Sequence, residues 1–277
     1  MINLVYTGMK LLSPRKIAAL LVVVVIISSV LVGGVRSNAQ DHPNIDSQAA
    51  KLLQDMSDFL GSKYEYTFKA DVMFDEVVNS KRKLQYSAAE TVYIKKPNQL
   101  AIEYVSDLGG YKLWYDGNQA TILEVPGNLF SLATLEGSVN SILTKLEDKY
   151  DFIPALSEFL FINTKKVLTE NVTSGTYFGG SKVFGKRCQH LAFEEQNIDW
   201  QIWIEDGKRP IPRKLVITYK NKPGSPQFIA IMKDWIFEKP ITNYAFKADI
   251  PNLNKRTEFE EIAGNPKYKI GSVRRDR

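Results

Sequence analysis

The chain has 277 residues, of which 44% are apolar and 24% charged, with one cysteine and two histidines. A single cysteine excludes an internal disulfide and a thiolate zinc cluster, and the 17 glycines and 12 prolines exclude a collagen-like or low-complexity chain. A chain of this length can bury roughly 70–75% of the surface that it exposes when unfolded. It therefore needs no disulfide or metal to hold a core.

The positive charge is concentrated at the two ends of the chain. Residues 1–39 carry +4 and residues 267–277 carry +4, so the net +5 of the whole chain leaves −3 for residues 40–266. A nucleic-acid-binding domain normally presents a basic face of its own. The sequence therefore predicts no nucleic-acid partner.

The N-terminus carries an export signal. Lys10, Arg15 and Lys16 precede an uncharged apolar run over residues 17–35, and Ser37-Asn38-Ala39 then offers a small-x-small cleavage pattern. The run is long enough to cross a bilayer if it is not cut. Residues 1–39 are therefore predicted to be a signal peptide or a retained signal anchor, and the protein is placed in the periplasm or cell envelope.

An amphipathic helix follows the export segment. Asp46 is expected as its N-cap and Gly61 as its stop. The apolar residues recur with the helical period and lie on one stripe: Ala49, Leu52, Leu53, Met56, Phe59 and Leu60.

From residue 64 the hydrophobic period changes to two. Six strands are predicted in succession, at about 64–74, 83–95, 99–106, 110–116, 118–124 and 128–134. Successive strands without intervening helices indicate an antiparallel meander and disfavour a dinucleotide-binding fold. Helical periodicity returns between about 137 and 170.

Five more strands are predicted at about 172–184, 187–196, 199–206, 211–220 and 227–238. No linker divides the two halves of the sheet. The predicted fold class is therefore mainly β (α+β), with residues 40–266 forming one domain in which about eleven strands make a curved antiparallel sheet covered on one face by helices. Residues 267–277 are expected to be a basic, disordered tail.

The covered face of such a sheet carries large apolar side chains. It is expected to line a cavity for a lipophilic ligand, or else to pack against the helices as a dry core; the residues alone leave both open. The candidate lining residues are Tyr66, Phe68, Phe74, Leu100, Ile102, Tyr104, Trp200, Ile202 and Ile204.

Several segments resemble a family of predicted periplasmic proteins of unknown function, which is itself similar to the bacterial outer-membrane lipoprotein carriers and receptors (the LolA-like superfamily). The resemblance covers about residues 45–252. It implies a half-barrel with a helical lid over an apolar cavity that accepts acyl chains. The segments that carry it are Lys96-Pro97, Trp114-Tyr-Asp-Gly117, Cys188-Gln-His-Leu-Ala-Phe193, Asp199-Trp-Gln-Ile-Trp-Ile-Glu-Asp-Gly207 and Pro210-Ile-Pro-Arg-Lys214.

The resemblance also implies a lid latch. In the lipoprotein carriers, an arginine directly before a proline at the end of the second strand holds the lid closed through hydrogen bonds to lid carbonyls. Lys96 stands at that place here. Because lysine lacks the planar fork of arginine, Lys96 is interpreted either as a latch of different geometry or as a solvated charge at a strand end.

Catalytic patterns are sparse. Cys188 and His190 fall on one predicted strand and are interpreted as structural residues, and the sequence shows no phosphate loop, dinucleotide-binding glycine motif, HExxH or GxSxG. The prediction is a protein that is not an enzyme, with no catalytic residue, no metal and no cofactor.

Two functions from different classes remain. The first is an exported carrier that holds a lipid or the acyl chains of a lipoprotein in the half-barrel. The alternative is a membrane-anchored interaction or sensor module whose groove is filled by its own side chains. The basic tail is a further candidate for contact with a membrane protein or an anionic membrane surface.

Overall fold

The computed structural model describes residues 43–79, 82–252, 254–269 and 271–274. The predicted signal peptide or anchor lies outside them. Among the described residues, no helix is both long and apolar enough to cross a membrane. The helices are α1 (Ser47–Gly61), α2 (Val139–Tyr150), α3 (Thr164–Thr169) and α4 (Phe259–Ala263), with short 3₁₀ turns at Ser157–Leu160, Asn243–Phe246 and Pro266–Tyr268.

The strands form a single curved sheet that does not close. They are β1 (Asn44–Ile45), β2 (Glu65–Val78), β3 (Arg82–Lys95), β4 (Gln99–Ser106), β5 (Gly109–Tyr115), β6 (Gln119–Val125), β7 (Leu129–Thr134), β8 (Ser174–Val183), β9 (Lys186–Glu194), β10 (Ile198–Glu205), β11 (Pro212–Tyr219), β12 (Gln227–Ile236) and β13 (Lys255–Arg256). Their order is β1-β8-β9-β10-β11-β12-β2-β3-β4-β5-β6-β7-β13.

The eleven long strands pair antiparallel, as the sequence predicts. The two-residue strands β1 and β13 were not predicted, and they pair parallel with β8 and β7 at the two edges. The first and second halves of the sheet meet where β12 pairs with β2. This arrangement confirms the mainly β half-barrel.

Burial follows the period of two along the strands. On β2 the even positions from Tyr66 to Phe74 are buried, and the intervening odd positions are more exposed. The buried side chains of the sheet and of the helices above it belong to one hydrophobic cluster. The concave face is therefore the core of the domain.

Helix α1 covers the sheet through Ala49, Leu53, Met56 and Leu60, each 0% exposed. Its N-cap is Asp46, whose Oδ1 accepts a hydrogen bond of 2.8 Å from the Gln48 amide. Gly61 was expected just beyond the C-cap, but it is the last helical residue and Ser62 caps the helix, so the helix ends two residues later than predicted. A Cβ at Gly61 would come within 2.6 Å of the Ile162 carbonyl oxygen, so the glycine permits close chain approach.

The helical insert covers the other part of the face. Helix α2 begins after Ser138, whose hydroxyl accepts from the Ser141 amide at 3.2 Å, and ends at Asp151 in the left-handed region. Its buried residues recur with the helical period and lie on one face: Val139, Ile142, Leu143, Leu146 and Tyr150. The turn after it buries Leu156, Phe159 and Leu160.

The expectation of a disordered tail differs from the placement of residues 267–269 and 271–274. Tyr268, Ser272, Val273 and Arg274 are at most 6% exposed. Lys269 pairs with Asp151, and Arg274 pairs with Glu147. Acidic groups on and after α2 thus pair with two of the basic residues that composition alone assigned to solvent, Lys269 and Arg274.

Candidate ligand-binding site

The nine predicted lining residues lie on the concave face, and each is at most 3% exposed. Strand register connects the two groups of residues. Trp200 pairs with Ile217, Ile217 with Phe228, and Phe228 with Phe74, which gives one row across β10, β11, β12 and β2. All nine belong to one hydrophobic cluster, which also contains buried residues of the helices above the sheet.

A pocket of about 660 Å³ lies at the junction of β12 and β2, mostly on the outer face of the sheet, and of the nine residues only Phe68 contributes to its lining. The ladder between these strands shifts register between Lys233 and Ile236, and Asp234 has φ of 52°. The irregularity leaves an opening lined in part by Phe68 and Trp235. Their rings stack with centroids 4.5 Å apart.

Aromatic side chains continue from this opening to the end of α1. Trp235 stacks on Phe237 at 5.7 Å, and Phe237 meets the ring of Phe59 edge-on at 5.2 Å. Tyr66 lies 5.7 Å from Phe237. Trp235 therefore connects the pocket lining to a group of aromatic rings between the sheet and its helical cover.

The larger groove of about 950 Å³ lies elsewhere, between α2 and α3. Its lining is largely polar and includes Asn140, Lys145, Glu147 and Lys166, and it contains none of the nine predicted residues. The larger of these two cavities is therefore the polar groove between α2 and α3, and the more apolar one is the pocket beside Trp235. The smaller pocket fits a lipophilic ligand better because it touches the apolar core.

Lys96 fastens the C-terminal end of α1 to the sheet. Its Nζ donates hydrogen bonds of 2.8 Å to the Leu60 carbonyl oxygen and 3.3 Å to that of Gly61. The residue is 8% exposed, so it is not the solvated charge of the second interpretation. Burial lowers the pKa of Lys96 to about 8. A cation at the last carbonyls of a helix also complements the helix dipole.

A polar row interrupts the apolar face. Glu90 pairs with Tyr104, and Tyr104 pairs with Tyr111, so three inward positions on β3, β4 and β5 lie side by side. Each of the three residues is 1% exposed. Neither carboxylate oxygen of Glu90 has a hydrogen-bond partner within the part of the chain that the structure describes.

A second acidic residue faces this row from the helical cover. Glu158, in the 3₁₀ turn Ser157–Leu160, is 0% exposed. Burial, and then repulsion from Glu158, raises the pKa of Glu90 well above its usual range. Sequence reasoning missed Glu90, although its spacing from Val92 and Ile94 put a carboxylate in phase with an apolar face.

The candidates for nucleophilic chemistry lie on β9. Cys188 is buried, and burial raises the pKa of its thiol. The ring of His190 stacks on Trp203 at 4.1 Å, and its Nε2 lies 3.0 Å from Gln201 Oε1. Within the described ranges, no group of His, Cys, Asp and Glu side chains is arranged to hold a metal ion.

The fold is thus an open antiparallel half-barrel with a helical cover, and the candidate site is the apolar face between them. Residues 49–260 match the family described as Predicted periplasmic protein (DUF2092). The chain belongs to that family, and its compartment is the periplasm. The comparison with curated proteins finds no match.

Three solved structures illustrate the likeness of fold. The lipoprotein LppX of Mycobacterium tuberculosis is 13% identical, with 71% of this chain and 98% of that chain covered and a TM-score of 0.45. LprF of Mycobacterium bovis is 12% identical, with coverage of 76% and 99% and a TM-score of 0.43. A LolA superfamily protein of Nitrosomonas europaea is 8% identical, with coverage of 72% and 97% and a TM-score of 0.37.

Proposed function

We propose that the protein is an exported binding protein that holds an acyl chain of a lipid or lipoprotein between the concave face of its sheet and the helical cover. The supporting observation is that α1 packs on the sheet through fully buried apolar side chains, whereas its C-terminal end is held by hydrogen bonds from Lys96. An acyl chain can replace such apolar contacts without leaving buried polar groups unpaired.

The energetic scale is adequate for this exchange. Burial of an acyl chain contributes about 0.8 kcal/mol per CH₂ group. Release of the two Lys96 hydrogen bonds costs about 1.5–3 kcal/mol if they are lost together. A long chain therefore offsets the unfastening of α1, provided that it takes over the contacts of Leu53, Met56 and Leu60.

The pocket beside Trp235 supplies a route of entry. Phe68 and Trp235 line it in part, at the register shift of β12. An acyl chain that enters there passes along the aromatic boundary and beneath the end of α1. Movement at the Lys96 fastening would widen this path.

The first test is native mass spectrometry with lipid extraction on the exported chain, purified from the cell envelope without detergent. A lipid of defined mass at about one per chain is the expected result. A chain that is free of lipid and stays so when phospholipids and fatty acids are offered would overturn the proposal. Lys96→Met should speed the uptake of a fluorescent fatty acid, and Lys95→Met provides the matched control.

The filled concave face favours a second candidate function, an interaction or sensor module that needs no ligand in its groove. All nine predicted lining residues pack within the protein's own core. Absence of lipid in the first test, together with capture of a defined membrane-protein partner after in-cell cross-linking, would support this alternative.

A further inference from the structure

The C-terminal segment crosses the concave side above the polar row. We call residues 266–269 and 271–274 the C-terminal strap. Tyr268 meets the ring of Tyr111 edge-on at 5.5 Å. Further along, the Gly271 amide donates to the Tyr219 hydroxyl at 3.4 Å, and the Gly271 carbonyl accepts from the Leu156 amide at 3.1 Å. The strap therefore runs from the β5 side of the row to the β11 side.

The strap brings hydrogen-bond donors to acidic groups of the helical cover. The Ser272 hydroxyl donates to Glu158, and the guanidinium of Arg274 pairs with Glu147. Lys269 pairs with Asp151 in the same way. The chain's own C-terminal segment thus supplies one hydroxyl and two cations to this end of the site.

Glu90 is left outside that arrangement. It is 1% exposed, and both of its oxygens lack a hydrogen-bond partner among the described residues. A buried carboxyl group without partners costs free energy that a suitable donor recovers. Its position beneath the strap, opposite Tyr104 and facing Glu158, makes it a receptor for a donor that the protein does not supply.

We propose that Glu90 and Glu158 form a headgroup subsite that takes the ammonium group of an amine-bearing lipid, with the strap as the cover that is displaced. This assignment rests on the proposed function, since the alkyl part of the ligand must occupy the acyl site. From Glu90 the apolar face continues through Val92 to Ile94, about 13 Å along β3 at roughly 3.3 Å per residue. The inward positions of β3 are therefore apolar from the subsite toward Lys96, and the alkyl chain would displace packing along this row.

The chemistry of the pair selects a cation. Two carboxyl groups in a low-dielectric site repel each other when both are ionised, and an ammonium ion with three donors relieves that repulsion and pairs with both groups. A carboxylate or phosphate at the same place would add to the negative charge. A hydroxyl group can donate one hydrogen bond but cannot neutralise the pair.

The test compares dodecylamine, dodecanol and dodecanoic acid, each below the concentration at which micelles form. The three share an alkyl chain and differ in headgroup. Displacement of a fluorescent fatty acid from the full exported chain gives their affinities. We expect dodecylamine to bind at least tenfold more tightly than dodecanol, and dodecanoic acid to bind most weakly.

Two variants locate the preference. In Glu90→Gln and Glu158→Gln the advantage of dodecylamine over dodecanol should fall below threefold, with dodecanol affinity retained. Glu103→Gln is the matched control, because Glu103 lies next to Tyr104 on β4 but points to the exposed face. The Glu103→Gln variant should keep its preference for the amine. This result would show that the preference comes from Glu90 and Glu158 and not from a general attraction of a cationic amphiphile to acidic residues.

The outcomes separate the two proposals. Equal affinity of the unaltered protein for all three ligands would overturn the headgroup subsite and leave acyl binding standing. Binding of none of them would overturn both. If the amine preference survives in both buried variants, or if it is lost equally in Glu103→Gln, the assignment to Glu90 and Glu158 is wrong.

Discussion

The Nζ of Lys96 donates a hydrogen bond of 2.8 Å to the carbonyl oxygen of Leu60, 36 residues earlier in the chain. The contact joins the end of β3 to the end of α1, where the ring of Phe59 meets that of Phe237. The Leu60 carbonyl also accepts from the Lys63 amide at 3.2 Å, so Lys96 adds a second donor at the end of the helix. One side chain thus controls both the helix terminus and its attachment to the sheet.

Lys96→Met is expected to lower the free energy of unfolding by about 1–3 kcal/mol, because the charged donor is lost from two buried carbonyl groups. Urea denaturation measures this loss, and hydrogen exchange should show faster opening of α1. Lys95→Met is the control, since Lys95 makes a hydrogen bond of 3.3 Å to the exposed Asn243 side chain. Unchanged α1 exchange in Lys96→Met would show that Lys96 does not fasten the helix.

The contribution of Lys96 should also depend on pH. Burial lowers its pKa from 10.5 to about 8, so between these values the unfolded chain binds more protons than the folded one. Stability of the unaltered protein relative to Lys96→Met should therefore rise as the pH increases from 8 to 10.5. Parallel urea denaturation curves of the two proteins across this range would contradict the lowered pKa.

Glu90→Gln should change stability in the opposite pH direction. The pKa of Glu90 is near 4.5 in the unfolded chain and is raised well above that by burial in the folded protein. The folded state therefore keeps the Glu90 proton to a higher pH than the unfolded state does. The stability that Glu90 contributes is fully present below the unfolded-state pKa. It is lost as the pH rises toward the folded-state pKa. The variant lacks this loss, so its stability relative to the unaltered protein should increase from pH 5 to pH 8.

Glu158, Tyr104 and Ser272 surround the same position and stay unaltered in this comparison. Glu103→Gln serves again as the control, because Glu103 is exposed on the other face of the sheet. Thermal denaturation at several pH values gives the difference. A constant offset between Glu90→Gln and the unaltered protein from pH 5 to pH 8 would mean that Glu90 has no raised pKa.

The strands could be predicted from sequence because their pattern is local. The alternation from Tyr66 to Phe74 directly specifies which side of β2 is buried. The parallel contacts of β1 and β13 could not be predicted, since each depends on two residues meeting a strand more than 100 positions away. The ion pairs of the strap could not be predicted for the same reason. Lys269 and Arg274 are more than 100 residues from their partners Asp151 and Glu147.

The inward placement of the nine candidate residues could be predicted from the sequence, whereas the polar row at Glu90 was missed. Large inward side chains such as Phe68 and Trp200 can be identified from alternation alone. Their packing against the helices cannot, because it depends on how closely the cover approaches. Phe68 is 0% exposed and stacked on Trp235, so a charged substitution there would test folding more than binding.

Trp235 should report occupancy of the pocket. It lines the opening and stacks on Phe68, so an acyl chain that enters there changes the surroundings of its indole ring. We expect dodecanol to shift the tryptophan emission of the unaltered protein and to shift that of Trp235→Phe much less. Trp203→Phe is the control, because Trp203 stacks on His190 at the outer face. Equal shifts in the two variants would place the ligand elsewhere.

Arg274→Ala should loosen the strap. The Arg274 guanidinium pairs with Glu147 and lies 4.8 Å from the centre of the Phe161 ring, and the residue is 6% exposed. Its removal leaves Glu147, whose side chain is 23% exposed, with partial access to water. We therefore expect a loss of about 1–3 kcal/mol in the free energy of unfolding, with at least tenfold faster exchange of the Gly271 amide.

Two further variants bracket this result. Lys267→Ala alters an exposed basic residue of the same strap and should change stability by less than about 0.5 kcal/mol. Gly271→Ala should release the strap more strongly, because Gly271 has φ of +75° and a Cβ there would meet the Phe228 ring. If Arg274→Ala and Gly271→Ala both exchange the amide of residue 271 at the rate of the unaltered protein, the strap is not held by these contacts, and its displacement by a ligand headgroup loses its physical basis.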